Sequence, residues 1–218
     1  MRMFLFKIMT GLAIAAACSL PSHADSNPAL TPESIHIQRC NACHYVDGKS
    51  AGPEFPNIAG QYENYLMKAL KLFKENKRES EAMELIASLH KQQELVILAD
   101  YYSKQKPSET PPIANPDQTQ WSRGQQIFTA ERVYGISCAD CHGADAKGYV
   151  RKTPRTRNVR AIPSLAGQQP GYLKAKLMKY TGAGGQGPTQ PGMCGMRKAG
   201  KTLNPSDVNA LVEYLSSK

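Results

Sequence analysis

Two five-residue stretches carry the reactive chemistry of this sequence. Cys40-Asn41-Ala42-Cys43-His44 and Cys138-Ala139-Asp140-Cys141-His142 share the pattern C-x-x-C-H. Two thiols three positions apart on a helical turn can each add across one of the two vinyl groups on a haem edge. The adjacent His then presents its imidazole to the iron. Two C-x-x-C pairs can also form one four-thiolate zinc site, but zinc does not account for a His directly after both pairs. A disulfide-exchange motif has the same cysteine spacing and belongs in a βαβ setting that this sequence lacks. The pattern therefore points to two covalently bound haems c, attached at Cys40, Cys43, Cys138 and Cys141, with His44 and His142 as iron ligands.

The remaining iron position separates a carrier from an enzyme. A methionine there gives a high potential and electron transfer, whereas an open position admits a small molecule. Met83 lies 12 residues before Leu95 and Met196 lies 12 before Val208, each ahead of a matching apolar segment. These two are the expected ligands. Met67 competes in the first half but belongs to an amphipathic helical pattern, and Met193 and Cys194 compete in the second. Each imidazole also needs an acceptor for its other ring nitrogen, usually a backbone carbonyl. Gly52-Pro53 is the candidate after the first motif. Arg160 stands at the aligned place in the second half, which is expected to solve this differently.

The elements that position these groups repeat. Pro56-Asn57-Ile58-Ala59-Gly60-Gln61 follows the first motif and Pro163-Ser164-Leu165-Ala166-Gly167-Gln168 follows the second, with Tyr65-Leu66 and Tyr172-Leu173 beyond them. Each half closes with a similar apolar helix: Leu95, Leu98, Ala99, Tyr101 and Tyr102 in one, Val208, Leu211, Val212, Tyr214 and Leu215 in the other. Tyr62, Tyr65, Leu66, Ala69, Leu70 and Phe73 fall on one helical face, with Lys68, Lys71, Lys74 and Lys77 opposite. Asn204-Pro205-Ser206-Asp207 and Thr31-Pro32-Glu33 read as helix starts. Strand-like alternation of useful length is lacking. The expectation is an all-α chain of two tandem domains, 25–102 and 121–218, each completed by its haem. Pro107, Pro111, Pro112 and Pro116 make 103–120 a semi-rigid, extended linker.

The N-terminus has a basic start at Arg2 and Lys7, a short apolar run and small residues before Asp25. That reads as a signal peptide over 1–24. The run is shorter than the about 20 residues that span a bilayer. Ala15-Ala16-Ala17-Cys18 loosely resembles a lipidation site, so anchoring through Cys18 is the alternative. The expected compartment is the periplasm, where a nucleic-acid partner is excluded. The 218-residue chain carries a formal charge of +9, unevenly spread: 25–106 has 10 basic and 11 acidic residues, 107–218 has 15 and 7. Lys147, Arg151, Lys152, Arg155, Arg157 and Arg160 crowd one stretch with only Asp145 opposing. A solvated loop accounts for such a run, and so does a docking patch for an acidic redox partner or a membrane surface.

These residues resemble the dihaem cytochromes c4 over nearly the whole mature chain. The likeness rests on both C-x-x-C-H sites, both P-x-[IL]-A-G-Q segments, Gly135-Ile136-Ser137 before Cys138, the closing helices and the Pro-rich tether. It implies two class I cytochrome domains with their haems near one another and His/Met ligation at both irons. It also implies a respiratory role, passing electrons from a donor complex to a terminal oxidase or another redox partner. The longer basic stretch and the Met193-Cys194-Gly195-Met196 sequence depart from the family pattern. Beside the carrier stand an enzyme reading (dihaem peroxidase or thiosulfate-oxidising cytochrome) and a subunit reading, since a similar dihaem chain serves flavocytochrome sulfide dehydrogenases.

Overall fold

The computed structural model describes residues 39–50, 52–108, 111–130, 135–152, 159–181 and 194–218. The expected signal peptide, Cys18, the helix start at Thr31 and Met193 lie outside them, as do Arg155 and Arg157.

The first domain contains α1 (Asn41–His44), α2 (Glu63–Lys74), α3 (Glu81–Ser88) and α4 (Gln92–Ser103). Of the expected face of α2, Leu66, Ala69 and Phe73 are buried, while Tyr65 and Leu70 are half-buried, and Leu72, outside that face, is buried too; Lys68 and Lys71 are exposed. Leu66 packs with Leu95, Leu98, Ala99 and Tyr102 of α4, and Ala69 and Phe73 pack with Ala87 of α3. Each large apolar side chain fully buried in this way contributes about 1.5–3 kcal/mol.

The second domain contains α5 (Gln118–Thr129), α6 (Cys138–His142), α7 (Pro170–Met178), α8 (Cys194–Gly200) and α9 (Pro205–Ser216), with strands β1 (Tyr149–Lys152) and β2 (Val159–Ile162). Its core joins Ile127 and Phe128 of α5 to Val208, Leu211, Tyr214 and Leu215 of α9. Tyr214 meets Trp121 edge-to-face, ring centroids 5.2 Å apart. Asn204 starts α9 as its sequence suggests: its side chain accepts from Asp207 N–H at 2.9 Å, with Pro205 in the first turn. The departure from an all-helical reading is the hairpin. β1 and β2 pair antiparallel, with Arg151 opposite Arg160 in register. Four-residue strands are too short to show a period in the sequence, and this hairpin occupies the stretch by which the second domain exceeds the first.

The repeat is structural as well as sequential. Gly48 O accepts from Ile58 and Ala59 N–H at 2.8 and 3.1 Å, and Ala146 O accepts from Leu165 and Ala166 at the same two distances. Gly60 N–H donates to Tyr102 O and Gly167 N–H to Leu215 O, both at 2.9 Å, so each motif loop is tied to its closing helix. The described residues of 104–117 form neither helix nor strand. This segment lies on both domains: Ile113 N–H donates to Ser216 O at 3.2 Å, and a Cβ on Gly60 would stand 2.5 Å from Pro107 Cγ.

Candidate functional site

Both C-x-x-C-H motifs begin or lie within a single helical turn. α6 is fixed by a reciprocal cap: Ser137 Oγ accepts from Asp140 N–H at 3.2 Å and Asp140 Oδ2 accepts from Ser137 N–H at 2.8 Å. α1 has no side-chain cap at Cys40. Cys40, Cys43 and Cys138 are half-buried, Cys141 is exposed, and none of the four is in a disulfide. Burial pushes the Cys40 thiol up to about 11, against the opposing pull of Arg39.

His44 and His142 are both buried, each 7% exposed. His44 Nδ1 lies 3.0 Å from Pro56 O, and His142 Nδ1 lies 3.1 Å from Pro163 O. A carbonyl only accepts, so Nδ1 carries the proton and Nε2 is the nitrogen left to bind metal. Burial lowers both imidazole pKa values, and the backbone bonds only partly offset it. Neutral imidazole is the form a metal ligand needs.

These carbonyls correct two expectations. Pro56, not Gly52-Pro53, holds the first histidine, and the second domain solves the problem in the same way with the equivalent Pro163. Ser50 Oγ donates into the carbonyls of Gly52 and Phe55 at 2.8 and 2.6 Å, folding that loop back. Pro53 O is thereby turned to the other domain, where it accepts from Tyr172 N–H at 2.8 Å.

Met83 stands in the first turn of α3, where its N–H donates to Ser80 Oγ at 3.4 Å. It is half-buried beside Ala69, Phe73 and Ala87. Met196 stands in α8 and is half-buried. Met67 packs into the α2–α4 cluster, which suits a core residue. Cys194 opens α8. In each domain the histidine and the expected methionine are thus carried by separate elements, α1 and α3 or α6 and α8.

One group of residues was not legible beforehand. Arg78 is buried, and its Nη2 donates to the hydroxyls of Tyr65 in its own domain and Tyr172 in the other, both at 3.1 Å. Its Nε is buried without a partner. A buried guanidinium with an orphaned N–H calls for an anion, and a haem carboxylate is the anion that this fold would bring. The donor set fits too: two thiols one turn apart and one neutral imidazole per motif. Tyr65 and Tyr172 occupy equivalent places in the repeat, a signal the sequence did contain.

A family model for cytochrome c matches residues 34–119 and again 121–218. A cytochrome c4 of Thiocapsa roseopersicina is 32% identical over 179 residues, 81% of this chain and 85% of that protein. The crystal structure of reduced recombinant cytochrome c4 from Pseudomonas stutzeri superposes with a TM-score of 0.66 at 26% identity, covering 87% of this chain and 99% of the other. A protein of Thiomonas intermedia named thiosulfate dehydrogenase electron acceptor is 28% identical over 172 residues, 78% of this chain and 74% of that one. The chain belongs to the cytochrome c family and, within it, to the dihaem cytochromes c4, electron-transfer proteins with two covalently bound haems. Among the described residues no helix is long and apolar enough to cross a membrane.

Proposed function

We propose that the chain is a periplasmic carrier that takes single electrons from a donor complex and delivers them to a terminal oxidase or another redox partner. In this reading Cys40 and Cys43 hold one haem and Cys138 and Cys141 the other. His44 and Met83 would be the protein ligands of one iron, His142 and Met196 those of the other. The domain division is the one read above, with 1–24 as the export signal, except that Ser103 ends α4 and residues 118–120 open α5, which leaves 104–117 as the tether.

The observation that carries the proposal is the matched pair of imidazole–carbonyl bonds, His44 to Pro56 and His142 to Pro163. They fix two equivalent imidazoles in the same tautomer and orientation. A bound haem supplies one-electron exchange at its iron. The polypeptide holds and buries it and sets its potential through the axial ligands, so no side chain needs to act as acid, base or nucleophile. Met83 and Met196, if they hold the irons as read, would close them to small molecules, and that would make a carrier rather than a peroxidase or a thiosulfate-oxidising enzyme. The Thiomonas relative supports a sulfur-compound dehydrogenase as one class of electron donor.

The test is the far-red spectrum of the oxidised holoprotein. A sulfur-to-iron charge-transfer band is expected, halved in Met83→His and in Met196→His and intact in Met193→Ala. A high-spin haem in the unaltered protein, or a spectral change on adding peroxide or thiosulfate, would sink the carrier reading.

A further inference from the structure

The glutamines that end the two P-x-[IL]-A-G-Q segments reach across the domain boundary. Gln168 Oε1 accepts from Asn57 N–H at 2.7 Å and its Nε2 donates to Asn57 O at 2.9 Å. Gln61 does the same to Ser164: Oε1 accepts from its N–H and Nε2 donates to its O, both at 3.1 Å. Both glutamines are buried. Asn57 and Ser164 hold the same place in the repeat, each directly after the proline whose carbonyl faces an imidazole.

The carbonyl of Pro56 and the N–H of Asn57 belong to one planar, conjugated peptide group. So do the carbonyl of Pro163 and the N–H of Ser164. Each peptide therefore has the imidazole of its own domain at its oxygen and the glutamine of the other domain at its hydrogen. Hydrogen bonds linked in this way polarise one another. When the glutamine accepts the peptide N–H, electron density moves toward the peptide oxygen, which then accepts more strongly from imidazole Nδ1–H. A more strongly held Nδ1–H makes Nε2 a more basic ligand, and a more basic ligand favours oxidised iron.

We propose that Gln61 and Gln168 are reciprocal positioning residues: each strengthens the imidazole–carbonyl bond of the opposite domain and lowers the reduction potential of the opposite haem. The inference rests on the reading of His44 and His142 as iron ligands. It makes the docking of the two domains part of what sets both potentials. Gln168 acts on the haem at Cys40 and Cys43, and Gln61 on the haem at Cys138 and Cys141.

The experiment is a redox titration of the holoprotein followed by NMR, which resolves the two haems separately. Gln168→Leu raises the potential of the first haem more than that of the second, and moves the His44 Nδ1–H resonance of the reduced protein. Gln61→Leu gives the mirror pattern, with His142 affected. Asn57→Ala is the control. It removes the side-chain bond to Gly167 O at 2.9 Å and the 3.4 Å contact with Gln169, but leaves the backbone pairing with Gln168. It loosens the same interface and leaves both potentials unchanged. A shift confined to the variant's own domain, equal shifts at both haems, or the same shift in Asn57→Ala would overturn the proposal. Should a leucine variant not fold, isotope-labelled wild type still decides it. Through-hydrogen-bond couplings from the Asn57 amide to the Gln168 side-chain carbonyl, and from Ser164 to Gln61, are expected, and their absence overturns the proposal. Failure of the underlying ligand reading shows separately, as a wild-type spectrum without low-spin, histidine-ligated haem.

Discussion

Gly124 of α5 lies so close to Ala210 of α9 that a Cβ on Gly124 would stand 2.0 Å from the Ala210 carbonyl oxygen and 2.7 Å from Tyr214 Cβ. The obstacle is mostly backbone, which cannot rotate away. Gly124→Ala should therefore force the two helices apart and destabilise the second domain by about 3 kcal/mol, the upper end of ordinary overpacking. Chemical denaturation followed at the second haem would show it, with the first domain's transition unmoved. An unchanged midpoint would mean that the helices can separate at no cost.

Arg78 ties the domains through Tyr65 and Tyr172. Its guanidinium also lies 5.0 Å from the ring centroid of Phe73. Arg78→Leu strands two hydroxyls and is expected to cost about 2–3 kcal/mol, the range for hydrogen bonds to a charged group. Tyr172→Phe removes one of those bonds and should cost about 1.5 kcal/mol. The double variant should be no worse than Arg78→Leu by more than a few tenths, because both changes act on one contact. Full additivity in denaturation would show that the two residues are independent.

Glu94 gives a dependence on pH. Burial by itself would raise its carboxyl, but bonds from Lys91 N–H and from the His90 ring, with their charges, outweigh it and hold the group below 4.5. The His90 Nδ1 and Lys91 N contacts are both 3.0 Å. A depressed folded value means stabilisation that is present above the unfolded carboxyl's pKa and is lost as pH falls through the folded one. Glu94→Gln should therefore be less stable than wild type near neutrality, by about 1 kcal/mol, and the gap should close in acid. Two parallel stability–pH curves would refute this.

The basic hairpin tests the partner assignment. Arg151 is exposed on β1, and Lys147 is exposed in the loop before it. Replacing Lys147, Arg151, Arg155 and Arg157 by Gln should slow electron exchange with an acidic partner about tenfold or more at low salt, and flatten the salt dependence. Stopped-flow measurement over a range of ionic strength checks it. A rate that keeps both its size and its salt slope would leave the segment as a solvated loop.

The surface pair Lys179–Glu79 joins the domains at 3.0 Å, but both side chains are substantially exposed. Exposed pairs contribute about 0–1 kcal/mol, so Glu79→Gln should leave denaturation of the holoprotein almost unchanged. A loss comparable to that in Arg78→Leu would move the weight of the interface from the buried tyrosines to its rim.

The sequence by itself determined the local chemistry. The cofactor type follows from thiols and imidazole within one turn, the duplication from repeated segments, and the faces of α2, α4 and α9 from helical periodicity. Each of these depends on residues near one another in the chain. The β1–β2 hairpin escaped because four-residue strands carry almost no pattern. The sequence offers Gly52-Pro53 as the acceptor for His44, but closeness along the chain says nothing of where a carbonyl points. Only the fold, with Ser50 turning the loop back on itself, sends Pro53 O to Tyr172 and leaves Pro56 O for His44. The tertiary structure alone decided the pairing of Gln61 with Ser164 and Gln168 with Asn57, and the Arg78 bridge between Tyr65 and Tyr172. The contacts among these that cross the domain boundary join residues 94 to 111 positions apart. No local propensity encodes them: each requires two separately folded units to bury the same polar groups against one another, where a missing partner would cost more than the bond returns.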